Sequence, residues 1–251
     1  MTVEFIILVF CLFLVIATLY SSVGHAGASG YLAVMALLSF STESIKPVSL
    51  VLNIAVALIT SIKFIREGFF DKRIFLAFII TSLPMAFLGG YITISPKYFK
   101  LMAGIFLVCS AVFMLLREYL KPSSDKQCKM PFYQGTILGS VIGLFSGLIG
   151  VGGGIFLSPI LILCRGTTLK NASGIAALFI LCNSIAALAG NLTAIKKIDY
   201  TIGYWLVAVV IGGFIGSWLG TRKYNNKLVM IFLSLVLLSA GLKFIFVDFT
   251  K

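Results

Sequence analysis

Charge is what this chain lacks most. Only 11% of its 251 residues are Asp, Glu, Lys or Arg, where a soluble domain carries about a quarter. Too little polar material remains to cover a water-facing surface, which excludes a soluble globular domain. Carboxylates are scarcer still. The eight are Glu4, Glu43, Glu67, Asp71, Glu118, Asp125, Asp199 and Asp248, and all fall between apolar runs or near their ends. Cation and proton-driven carriers usually keep an Asp or Glu at membrane depth to hold or relay positive charge; this chain has none there. It has one histidine, His25. The five cysteines form no C-x-x-C pair, and an odd, scattered set excludes zinc-site spacing and argues against a disulfide framework. Cys11, Cys109, Cys164 and Cys182 read as small packing residues of apolar runs, and Cys128 as a loop residue. No metal ligand set and no cofactor motif is expected.

What fills the space is Ile, Leu, Val, Ala and Phe: 60% of the chain is hydrophobic, with 22 Phe. The apolar residues fall in eight long runs, at about 4–20, 48–65, 74–92, 99–116, 132–149, 171–190, 201–220 and 228–247. At 1.5 Å per residue each can cross, or nearly cross, a hydrocarbon core of about 30 Å. Two shorter apolar pieces, about 29–40 and 155–164, cannot span comfortably. The class expected is an all-α, polytopic membrane protein of a cell (inner or plasma) membrane.

The net charge of +12 is spread over loops rather than gathered on one face. Nucleic-acid binding needs a contiguous basic surface, so these charges are read as orienting a membrane protein. Met1-Thr2-Val3-Glu4 has no basic n-region, so residues 5–20 read as a retained helix rather than a cleaved signal.

Each short piece follows a long run across a glycine-rich break. The breaks are Ser21-Ser22-Val23-Gly24-His25-Ala26-Gly27-Ala28-Ser29-Gly30 and Ser146-Gly147-Leu148-Ile149-Gly150-Val151-Gly152-Gly153-Gly154. This is an internal repeat. A shift of 126 places Gly24 on Gly150 and Gly27 on Gly153, and a shift of 130 places Asn53 on Asn183 and Gly90 on Gly220. The chain therefore divides into a first repeat, 1–120, a linker, 121–131, with Pro122 and Pro131 in and at the end of it, and a second repeat, 132–251. If the short pieces complete crossings, the halves are inverted, and Lys and Arg concentrate more sharply on one side. The positive-inside rule then favours an inverted repeat with both termini outside.

Helix broken at membrane depth exposes backbone N–H and C=O groups, which survive only inside protein or beside a polar cavity. A short helix that starts at a break aims unpaired N–H groups and a positive dipole end into that cavity, as an anion site requires. The regular spacing of Gly135, Gly139, Gly143 and Gly147, and of Gly212, Gly216 and Gly220, reads instead as close helix packing. The denser clusters do not keep that period. The expected substrate-lining residues are therefore Ser21, Ser22, Gly24, His25, Gly27 and Ser29 in the first break, and Gly150, Gly152, Gly153 and Gly154 in the second. The matched amides Asn53 and Asn183 join them. His25 could carry a proton with the anion or serve as a structural residue. Each asparagine could meet substrate or bond between helices. Arg165 and Lys170 read as interfacial anchors.

The stretch from Leu19 to Ala33 resembles the first-half motif of one branch of the TauE/SafE sulfite exporters, also called TSUP permeases. Gly147–Gly154, followed by Pro159, is similar to that family's second-half glycine motif, and the duplicated layout matches over nearly the whole chain. His25, Ala26 and Ala28 depart from an all-glycine first motif. The resemblance implies transport of sulfite, another sulfur oxyanion or an organosulfonate.

The reading is a secondary transporter, not an enzyme, that moves a small anion by alternating access. Its partners are that anion and the bilayer; a homodimer is left open. The rivals are an anion channel, a non-transporting membrane subunit, and an intramembrane serine hydrolase pairing His25 with Ser21 or Ser22.

Overall fold

The computed structural model describes residues 3–119, 131–165, 167–192, 200–222 and 227–247. Cys128 and most of the linker lie outside them. Within them the chain forms helices α1 Val3–Ser22, α2 Ala28–Leu37, α3 Thr42–Arg66, α4 Lys72–Tyr91 and α5 Pro96–Tyr119. The second half follows with α6 Phe132–Ile149, α7 Gly154–Arg165, α8 Leu169–Gly190, α9 Ile202–Thr221 and α10 Lys227–Leu242. A π-helical turn, Lys243–Val247, continues α10. Among the described residues, seven helices are long and apolar enough to cross a membrane. The eighth expected run, 228–247, falls on α10 and its π turn, where the apolar helix is shorter, Ile231–Phe246. Exposed Leu, Ile, Val and Phe cover the outside, as in α6, where Ile137, Val141 and Phe145 are exposed on one stripe. The protein is a multi-pass membrane protein.

Helix ends follow local chemistry. Asp71 caps α4, accepting from the N–H groups of Arg73 and Ile74. In the turn before it, Lys63 bonds Glu67 at 2.7 Å, and that bond holds the Glu67 carboxyl below its ordinary value.

The two short helices fold back. Phe40, beyond α2, stacks on Phe5 at the start of α1, with ring centroids 5.9 Å apart. Midway, Tyr31 packs edge-on against Phe13. So α2 returns to the face from which α1 departs. Helix α3 leaves from that face, α4 returns to it, and α5 leaves again.

Helix α6 runs parallel to α4: Gly139 lies on Phe78, Gly143 on Ser82 and Gly147 on Ala86. It therefore starts on the opposite face from α1. Its short helix, α7, returns toward that second face, packing Leu157, Leu161 and Ile162 against Ala77, Phe78 and Ile79 of α4. The halves run in opposite senses, with each short helix heading back toward the face from which its long helix departs. This is the arrangement that the distribution of basic residues favours.

The halves also interlock. The glycine stripe of α6 lies in α4 of the other half. In the same manner Gly212 of α9 lies on Leu14, Gly216 on Thr18 and Gly220 on Ser22 of α1. Close approach of backbones, rather than hydrophobic transfer, is what holds helices together in lipid.

Candidate functional site

Both breaks fold at the centre of this frame, and every residue from Ser21 to Met35 and from Ser146 to Ile155 is buried. Each break turns through glycines in the left-handed region. Gly27, with φ 98°, caps α2, and Gly153, with φ 75°, precedes α7. A side chain at either position would be strained.

Helix α3 supplies the link between the breaks. Asn53 Oδ1 accepts from the Ala28 N–H, capping α2 at 3.1 Å. Its Nδ2 donates to Ser184 Oγ of α8 at 2.8 Å. A Cβ on Gly152 would stand 2.7 Å from that same Nδ2. Asn53 is thus the structural partner of the first break and the neighbour of the second.

Asn183 is placed differently. Its Oδ1 accepts from Ser82 Oγ at 2.9 Å, and its buried Nδ2 has no partner. Ser82 lies against Gly143, and Ser146, one turn further along α6, lies against Gly153. The Ser146 hydroxyl is also buried and unpartnered. The N–H groups of Gly152, Gly153 and Gly154 donate to no described group. Unpaired buried donors are costly, about 1–3 kcal/mol each; here three backbone N–H groups lie in a row at the start of α7, the Ser146 hydroxyl lies beside Gly153, and the Asn183 amide nitrogen is on α8, about one turn from Ile180, which lies against Gly154.

His25 reaches across the molecule. Its Nε2 lies 3.2 Å from the Gly154 carbonyl oxygen and 3.3 Å from Ser158 Oγ. The remaining expected residues are less central. Ser21 donates to Ala17 O and packs toward the α9 glycine stripe. Ser22 donates to Leu19 O, and Ser29 donates to Tyr20 Oη. Gly24 lies against Ser173 of α8, and Gly150 against Lys46. Lys170 donates to Thr221 O and sits over the Phe69 ring.

Sequence reasoning missed Ser82, Ser158, Ser184 and Lys46, and it left Ser146, the first residue of the second break, off the lining residues. The serines carry no local signal apart from helical spacing: Ser158 is four residues from Gly154, and Ser184 adjoins Asn183. Lys46 falls just outside the apolar run drawn from 48, yet helix α3 begins at Thr42 and buries it. Of the carboxylates whose side chains the structure describes, Glu4, Glu43, Glu67 and Asp71, each is exposed. The buried site therefore offers donors and no described negative charge.

The sequence model of the sulfite exporter TauE/SafE family matches residues 8–244. A protein named probable membrane transporter protein y4hK, from Sinorhizobium fredii, is 36% identical over 234 residues, covering 92% of this chain and 94% of that protein. Probable membrane transporter protein MJ0441 of Methanocaldococcus jannaschii is 31% identical over 175 residues, 65% of this chain and 64% of that protein. Probable membrane transporter protein YunE of Bacillus subtilis is 23% identical over 272 residues, 97% of this chain and 98% of that protein. No solved structure matches. The chain belongs to the TauE/SafE family of membrane transporters.

Proposed function

We propose that this transporter carries a small sulfur oxyanion, sulfite or an organosulfonate, and binds it between the two breaks. The observation that carries the reading is the group of unpaired donors at the start of α7. The N–H groups of Gly152, Gly153 and Gly154 would contact the oxyanion, with Asn183 Nδ2 completing the cradle. A positive helix end and neutral donors stabilise an anion without a buried counter-ion. Gly24, Gly27 and Gly150 shape the turns, and Asn53 ties them together. Ser21, Ser22 and Ser29 flank the first turn, their hydroxyls held by neighbouring groups. His25, between the breaks, would couple a proton to the anion.

Because both breaks are buried, substrate must reach them through a change of conformation, which favours alternating access over an open pore. The interlocked helices suggest what moves. Helix α4 is packed into α6, and α9 into α1, so the moving bodies mix the repeats 1–120 and 132–251 rather than separating at the 121–131 linker. A serine hydrolase would need His25 at Ser21 or Ser22, whose hydroxyls instead donate to carbonyls of their own helix.

The test is counterflow of radiolabelled sulfite in proteoliposomes, with sulfate, thiosulfate, a sulfonate and a carboxylate as competitors. Saturable exchange, competed by sulfur anions, is the expected result. Folded protein that exchanges no anion would overturn the reading, and conductance without counterflow would make the protein a channel.

A further inference from the structure

Lys46 is a cation where the surrounding chemistry calls for a reason. It is only 8% exposed, although α3 carries it beyond the exposed first turn and into the body of the fold. Its ammonium donates to the carbonyl oxygens of Gly89 and Gly90, each at 3.1 Å, at the end of α4. An ammonium has three N–H groups, so one is left. Buried lysines are rare in membrane spans and mark ion or substrate paths.

Lys46 lines a cavity of about 210 Å³ with Thr42, Thr93, Asn191, Leu148 and Phe99. Glu43 also lines it, but Glu43 is exposed, whereas Lys46, Leu148 and Phe99 are buried. Negative charge is therefore at the mouth and positive charge at the floor. The cavity has room for an oxyanion of a few heavy atoms with its waters. It opens on the face where α1 begins and α4 ends.

A Cβ on Gly150 would stand 3.0 Å from Lys46 Cγ, so the lysine stem lies against the second break. One turn along α3 is Ser49, whose buried hydroxyl has no partner, and the next turn brings Asn53, beside Gly152. Residues 46, 49 and 53 share one helix face. The row exists on one side of the protein only. Under the repeat shift of 130, Lys46 falls on Ala176 and Ser49 on Phe179, so the opposite face has no equivalent.

We infer that the Lys46 cavity is an anion-docking subsite, distinct from the central cradle, that receives a small oxyanion from this one face and hands it along Ser49 to the second break. The inference rests on the anion-carrier reading above. It makes the two faces of an inverted repeat unequal, with tighter capture from the Lys46 side.

The experiment compares wild type, Lys46→Gln and Lys46→Arg in oriented proteoliposomes, with sulfite supplied from each face. Glutamine can still donate to the Gly89 and Gly90 carbonyls but carries no charge. Loss of a charged hydrogen bond predicts a KM for sulfite about tenfold higher or more from the Lys46 face. Vmax should stay within about twofold, and arginine should retain tight capture because it keeps the charge. A Lys46→Gln protein with wild-type KM overturns the subsite, as does equal loss of Vmax in both variants with KM unchanged, the mark of a mere helix-end cap. If neither variant folds, Thr93→Trp fills the cavity from its exposed rim; it should raise KM or block uptake from that face alone, and unchanged kinetics overturn the subsite. Wild-type exchange with indifferent variants removes the subsite only. Absence of any anion exchange by wild type removes the carrier reading, and the subsite with it.

Discussion

The imidazole Nε2 of His25 lies 3.2 Å from the carbonyl oxygen of Gly154, joining the first break to the first residue of the second short helix. An ionisable ring thus bridges the two halves at the point where both chains turn. Its charge state controls whether one ring nitrogen donates or both do, and so how the bridge and its Ser158 contact are shared. Replacement by glutamine keeps a donor but removes titration. The expected outcome for His25→Gln is sulfite exchange within about threefold of wild type at one pH, with the slope between pH 6 and 8 flattened. A variant with wild-type pH dependence would remove His25 from proton coupling.

Gly153 should tolerate nothing larger. At φ 75° an L side chain is strained by about 1–2 kcal/mol. Its Cβ would also stand 2.6 Å from Ile142 Cγ2. Gly153→Ala is expected to lower exchange and Gly153→Leu to abolish it, while both still insert and elute as folded protein. Normal uptake by the leucine variant would show that the second break does not hold substrate.

The spans and breaks were legible in the sequence because they obey local rules. Apolar length marks a span, and glycine too dense for a helix marks a break, so the run 132–149 coincides with α6 and the break at 150–153 separates it from α7. What was not legible depends on rotation and distance. Ser21 adjoins the first break in sequence, yet helical rotation turns it toward α9. Lys46 looks like a loop charge until α4 supplies two carbonyls from more than forty residues away. Lys243 is similar: its ammonium reaches Ala36 O and Leu37 O at the end of α2, where α10 gives way to its π turn. The repeat matched Asn53 with Asn183 but could not tell that their partners differ.

The glycine stripes predict a loss of a different kind. Gly147 packs against the Ala86 carbonyl, and Gly216 against the Thr18 carbonyl. These neighbours are backbone and cannot swing aside. Gly147→Leu or Gly216→Leu should separate α4 from α6, or α1 from α9, and reduce the yield of folded protein in detergent, visible as aggregation on size exclusion. Stable, monodisperse leucine variants would mean that the stripes do not hold the halves together.

The paired asparagines separate structure from function. Asn53→Ala strips the Ala28 N–H of its cap and Ser184 of its partner. Two buried groups are orphaned, at about 1–3 kcal/mol each, so thermal stability should fall markedly along with exchange. Asn183→Ala orphans only the Ser82 hydroxyl and at the same time deletes an amide nitrogen that is already unpaired. Its melting temperature should stay close to wild type. If the unpaired amide is kept for the oxyanion, though, the KM for sulfite should rise about tenfold, the equivalent of one such bond. The opposite pattern, a destabilised Asn183→Ala with unchanged KM, would assign that residue to helix packing and leave the α7 N–H groups alone to hold the anion.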